Sequence, residues 1–140
     1  MYKKFLIAFD GSEGSKKALI QGIKLAKITG GELLALWVKG SLPHYPETID
    51  EVEEEKEAAN GFMEKIKEDI TLIAKQENMQ IDLMSRSGNP SKVIIDYAKE
   101  NHIDLIIMGH RGHSGLWGNL LGHVTDKVSE CAHCDVLIVR

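Results

Sequence analysis

Five glycines and three histidines crowd the fifteen residues from 109 to 123, GHRGHSGLWGNLLGH, and no carboxylate stands among them. The gap in acidic residues is wider still. From Leu105 to Thr125 there is no Asp or Glu, although the chain carries 21 over 140 residues. A stretch of this kind suits an anion held by backbone. Gly109 and Gly112 allow close approach to a ligand and positive φ, and Arg111 offers a charge-assisted contact. From Gly122 onward a helix begins, whose free N–H groups and dipole attract phosphate. The loop is neither G-x-x-x-x-G-K-[ST] nor G-x-G-x-x-G, so composition alone also fits a flexible connection. Arg111 has a solvated loop cation as its alternative. Trp117 either stacks on a base or packs against protein, and packing is the reading we adopt.

Such residues need elements to position them. Apolar runs at Phe5–Phe9, Leu33–Val38, Met79–Met84, Ile103–Met108 and Val136–Val139 alternate with four amphipathic stretches. Ala18, Leu19, Gly22, Ile23 and Ala26 share one helical face. Ala59, Phe62, Ile66, Ile70 and Ile73 share another. Asn89–Pro90 opens a third helix as N-cap and first helical residue, burying Val93, Ile94 and Tyr97. Leu121, Val124, Val128 and Cys131 form the fourth stripe. The order βαβαβαβαβ predicts one α/β domain over residues 1–140, a parallel sheet with helices on both faces.

Phe5–Phe9 and Ile103–Met108 read as central strands, because both are nearly continuous apolar runs. Met79, Ile81 and Leu83 alternate with Gln80 and Asp82, as on a half-exposed edge. Val136–Val139 is terminal and wholly apolar, and an open edge of that kind invites pairing. Either a helix covers it or a second copy of the chain pairs with it; the second is the reading we adopt, giving a homodimer through Val136–Val139. In an open α/β sheet, ligands bind beyond the strand carboxyl ends where the strand order reverses. AFDGS, after the first strand, and the glycine-rich loop, after the fourth, face each other there if those strands are neighbours.

Composition narrows the classes. A formal charge of −4 argues against general nucleic-acid binding, which needs a basic face. No run approaches the roughly 18 apolar residues of a membrane span. MYKKFLIAFDG lacks the apolar core of a signal peptide, so a cytoplasmic protein is expected. The acidic run ETIDEVEEEKE (47–57) is read as a solvated helix start, favourable near a helix N-terminus. CAHC (131–134) supplies one Cys pair where structural zinc wants four ligands. Cys131 is read as a buried structural cysteine, with a redox pair as the alternative.

Beyond these residues, Gly109-x2-Gly112-x9-Gly122, with Val124 and Thr125 after it, resembles the nucleotide signature G-x2-G-x9-G-[ST] of the universal stress protein family. LIAFDGSEGSKKAL, SGNPSKVIIDYAKE, DLIIMG and CDVLIVR resemble further segments of that family, with Asp135 where Pro is common. The resemblance spans nearly the whole chain. It implies a Rossmann-like open five-stranded parallel sheet, order 3-2-1-4-5, of the adenine nucleotide α-hydrolase type, and dimerisation through the last strand. It also implies a stress-response regulatory role with unidentified protein partners. An adenine nucleotide (ATP, ADP or AMP) is the implied ligand, with Mg²⁺ as an optional companion of its phosphates. Carried over by position, Ala8, Phe9 and Asp10 line the adenosine, with Asp10 near ribose and phosphates. Trp37 and Val38 close on the adenine, and Met108 packs nearby. Gly109, Gly112 and Gly122 shape the phosphate loop, which Val124 and Thr125 continue.

His123 departs from the pattern, standing where family ATP binders place Ser or Thr. Imidazole still donates a hydrogen bond and, when protonated, adds charge. Its bulk leads us to expect a shift toward AMP or ADP, with a pH dependence near neutrality. Two alternatives stand beside nucleotide binding. One is a nucleotide-independent interaction module. The other is a slow ATP hydrolase, for which Asp10 is the one plausible carboxylate and the glycine loop offers no Lys.

Overall fold

The computed structural model describes residues 2–40, 49–110 and 122–140. Strands and helices alternate as β1 (Lys4–Ala8), α1 (Glu13–Thr29), β2 (Glu32–Gly40), α2 (Ile49–Gln76) and β3 (Asp82–Gly88), followed by α3 (Pro90–Glu100), β4 (Leu105–Gly109), α4 (His123–Cys131) and β5 (Asp135–Val139). Every pairing is parallel, and the sheet order is β3-β2-β1-β4-β5. The order that the resemblance implies is therefore the order observed.

Period-two alternation sorts the strand residues into two layers. Phe5, Ile7, Leu33, Ala35, Trp37 and Ile107 pack with Ala18, Leu19 and Ile23 of α1 and with Ile66 and Ile70 of α2. Leu6, Leu34, Leu36, Ile106 and Met108 pack with Ile94, Tyr97 and Ala98 of α3 and Val128 of α4. β1 and β4 lie at the centre, covered on both faces, which is why their runs are apolar without interruption. The stripe read on α1 is buried throughout. Gly30 ends that helix in the left-handed conformation, its N–H donating to the Ala26 carbonyl.

Three expectations need correction. The third strand lies at Asp82–Gly88 rather than Met79–Met84. Its later half, Ser85–Ser87, is polar because an edge strand need not bury both faces, so hydrophobicity could not mark its end. Arg86 of that half sits 5.4 Å from the Tyr97 ring centroid, a cation–π contact that covers the edge. Phe62 is 42% exposed rather than buried, and its ring stands 5.5 Å from that of Trp37. Cys131 is exposed, because it is the last residue of a nine-residue helix whose buried stripe stops at Val128. The side chains of Ala59 and Leu121 lie outside the described residues, as does Trp117.

β5 forms the other edge, with Leu137 exposed. At the amino ends of the strands, Asp104 accepts the backbone N–H groups of Lys3 and Lys4, both at 2.9 Å. Those two bonds hold its carboxyl below the usual carboxylate range. Tyr2 Oη donates to Asp135 at 2.6 Å, tying the start of β1 to the start of β5. Among the described residues, no helix is long and apolar enough to cross a membrane.

Candidate functional site

The strand order reverses between β1 and β4, which are hydrogen-bonded neighbours. Their connections leave in opposite directions and open a cavity of about 270 Å³ at the carboxyl ends of the strands. Ligand pockets commonly span about 300–1,000 Å³, so this one is compact. One wall is apolar, formed by Ala8, Leu36, Val38, Met108, Pro90 and Ile94. The lining also includes Asp10, Ser12 and Ser15 from the start of α1, and Gly109, Gly122, Val124 and Thr125 from β4 and α4.

The α1 corner is fixed by its own side chains. Asp10 Oδ1 accepts the Ser12 N–H at 2.9 Å, and the turn between them requires the positive φ of Gly11, +82°. Ser12 is the N-cap, its Oγ accepting the Ser15 N–H at 3.2 Å. Ser15 Oγ in turn donates to the Ser12 carbonyl at 2.9 Å, and Ser15 is buried.

The α4 corner is built from backbone. Gly109 carries no Cβ because one would lie 2.6 Å from the Gly14 carbonyl carbon. The end of β4 and the first turn of α1 therefore touch main chain to main chain. This corrects the expectation for Gly109: its φ is not positive, and its missing side chain faces α1. Thr125 Oγ1, buried, donates to the Gly109 carbonyl at 3.0 Å. The His110 N–H donates to the Val139 carbonyl at 2.7 Å, and the Gly122 N–H to the His110 carbonyl at 3.2 Å. Gly122 is the N-cap of α4, with φ −62° and ψ 152°, and as a glycine it has no side chain to accept the N–H groups of the first turn. An uncapped helix start at a cavity wall is a place for an anion.

Of the residues read from the sequence, Ala8, Phe9, Asp10, Val38, Met108, Gly109, Gly122, Val124 and Thr125 all line this cavity. Arg111 and Gly112 lie outside the described residues. Trp37 is not among the lining residues, because alternation along β2 sends Leu36 and Val38 to one face and Trp37 to the other. The Phe9 side chain likewise packs in the α1/α2 layer. His123 is the first residue of α4, and its side chain is exposed and outside the cavity lining. Sequence reasoning missed Ser12, Ser15, Leu36, Pro90 and Ile94. Leu36 was recoverable as the residue two before Val38, and Ile94 as the residue four after Pro90.

The family model described as universal stress protein family matches residues 1–140. Universal stress protein YxiE of Bacillus subtilis is 37% identical, with all of both chains covered. Among solved structures, universal stress protein UspA from Lactobacillus plantarum superposes with a TM-score of 0.85 at 25% identity, covering 99% of this chain and 98% of that one. Two more distant structures share the fold. A universal stress protein in complex with cAMP has a TM-score of 0.71 at 23% identity, covering 99% and 97% of the two chains. A family protein from Arabidopsis thaliana with AMP bound has a TM-score of 0.70 at 16% identity, covering 98% and 90%.

Proposed function

The chain belongs to the universal stress protein family, and from that premise we propose that it is a cytoplasmic regulatory protein of the stress response that binds an adenine nucleotide between the loops after β1 and β4. The observation that carries this reading is the cavity: an apolar slot that ends at the uncapped start of α4. A planar base fits against Leu36, Val38, Met108 and Ile94. The ribose then lies toward Asp10, and the phosphate meets the N–H groups of His123, Val124 and Thr125. Arg111 and Gly112 complete the phosphate loop. The fold neighbours crystallised with cAMP and AMP support the choice of ligand class.

His123 enters through charge rather than bulk. With its side chain exposed and outside the cavity lining, the imidazole has no support as a plug in the space of a terminal phosphate. Imidazole keeps an N–H donor and, when protonated, adds positive charge beside the phosphate site. AMP or ADP remains the favoured ligand, because His123 supplies no small hydroxyl for a third phosphate. Asp10 is the one carboxylate lining the cavity among the described residues and would be the protein's contact to any Mg²⁺ accompanying the phosphates. We further propose that two copies pair through Val136–Val139, where Leu137 is 37% exposed on an open edge.

Mass spectrometry of protein purified without added ligand, followed by calorimetric titration with AMP, ADP and ATP, tests the function. We expect adenine nucleotide at one site per chain, with AMP or ADP at least as tight as ATP. Protein that takes up none of the three would instead favour the nucleotide-independent module. Steady release of phosphate from ATP and Mg²⁺ would favour the hydrolase.

A further inference from the structure

Ser12 and Ser15 line the cavity, and no feature of the glycine signature accounts for them. A serine hydroxyl has one proton to donate and two lone pairs to accept with. Ser12 Oγ uses a lone pair on the Ser15 N–H, and among the described residues no acceptor takes its proton. Ser15 is in the complementary state. Its proton goes to the Ser12 carbonyl, which leaves its oxygen as an acceptor at a side chain that is only 4% exposed. The same corner holds the Asp10 carboxylate, whose Oδ1 anchors the turn.

One donor, one neutral acceptor and one carboxylate make a poor seat for phosphate. The negative charge of Asp10 and the Ser15 lone pairs oppose it, whereas the glycine-capped start of α4 favours it. They make a good seat for a vicinal diol, which needs acceptors for its protons and tolerates one donor to its oxygens. We propose that the Ser12–Ser15 pair reads the sugar hydroxyls of the bound nucleotide, making the cavity selective for ribonucleotides over deoxyribonucleotides and fixing which end of the ligand faces α4. The selectivity rests on the nucleotide-binding function proposed above and adds two residues and a sugar specificity to it.

A ligand-by-mutant cycle tests it. AMP, 2′-deoxy-AMP and 3′-deoxy-AMP are titrated against the intact protein, Ser12→Gly, Ser15→Ala and Ser12→Thr. Glycine is a tolerated N-cap, and Ser15→Ala leaves the Ser12 cap in place. Thermal unfolding of each variant verifies the fold. The intact protein should prefer AMP over at least one deoxy analogue by about three- to tenfold, the range of one hydrogen bond. Ser12→Gly or Ser15→Ala should erase that preference by weakening AMP alone, and Ser12→Thr should keep it. Equal affinities of the intact protein for all three ligands, or equal losses for all three in the variants, would overturn the proposal while leaving nucleotide binding standing. Failure of the intact protein to bind AMP at all would remove the function beneath it.

Discussion

Two helix starts meet at the cavity, and they are built in opposite ways. The start of α1 satisfies itself: Asp10 holds the turn, Ser12 caps the helix, and Ser15 bonds back to Ser12. The start of α4 has a glycine cap, which has no side chain to accept with. Main-chain contact between Gly14 and Gly109 holds the two together. A helix start costs stability when its N–H groups lack partners. The self-capped start is thus shaped before any ligand arrives, while the uncapped one gains most when an anion does.

That contrast can be broken at its joint or at either side. The largest effect should come from Gly109→Ala, whose Cβ would stand 2.6 Å from the Gly14 carbonyl carbon. Two backbones cannot yield as a flexible side chain can, so we expect about 1–3 kcal/mol of lost stability by urea unfolding. Nucleotide affinity should fall with it, since the corners separate. Gly122→Asp should come next. Its backbone angles suit any residue, and a carboxylate cap would take the N–H groups proposed to hold phosphate. AMP affinity should drop more than tenfold, while the unliganded protein gains a few tenths of a kcal/mol from the cap.

Smaller effects sharpen the comparison. Asn89 caps α3 by accepting the Lys92 N–H at 3.1 Å, as Ser12 caps α1, but it does not line the cavity. Asn89→Ala should therefore lower stability by about 1 kcal/mol and leave AMP affinity within error in the same titration. The smallest change lies at the far end of the sheet. Backbone N–H groups of Lys3 and Lys4 hold the Asp104 carboxyl below its ordinary range. A depressed pKa contributes stability above the unfolded value of about 3.9 and loses it as pH falls through the folded value. Asp104→Ala should be less stable than the parent at neutral pH, with the gap closing below about pH 4. Thermal unfolding across that range would show it, and nucleotide binding at neutral pH should not change.

Which strands are central was legible in the sequence because burial on two faces leaves a mark, in Phe5–Ile7 and Ile106–Met108; the full strand order came from the family resemblance. The edge strand was misplaced for the converse reason, since Ser85, Arg86 and Ser87 answer to solvent and to Tyr97 rather than to a core. Family resemblance named Asp10, Val38, Gly122 and Thr125, and all four line the cavity. It named Trp37 where the alternation of β2 delivers Leu36 to the cavity. Ser12 entered only as the last letter of AFDGS and Ser15 not at all, because a serine at a helix start looks the same in sequence whether or not a cavity lies beside it. The role of Gly109 was hidden too, for its constraint comes from Gly14, ninety-five residues earlier in the chain.

The central claim is that an adenine nucleotide lies in this cavity with its phosphate on the start of α4. Amide chemical-shift mapping during titration with AMP tests it most directly. Saturable shifts should concentrate at His123, Val124 and Thr125, at Asp10–Ser12 and at Val38, with the Trp37 indole little affected. Saturable shifts clustered instead on the α1/α2 face, or none at millimolar AMP, would contradict it.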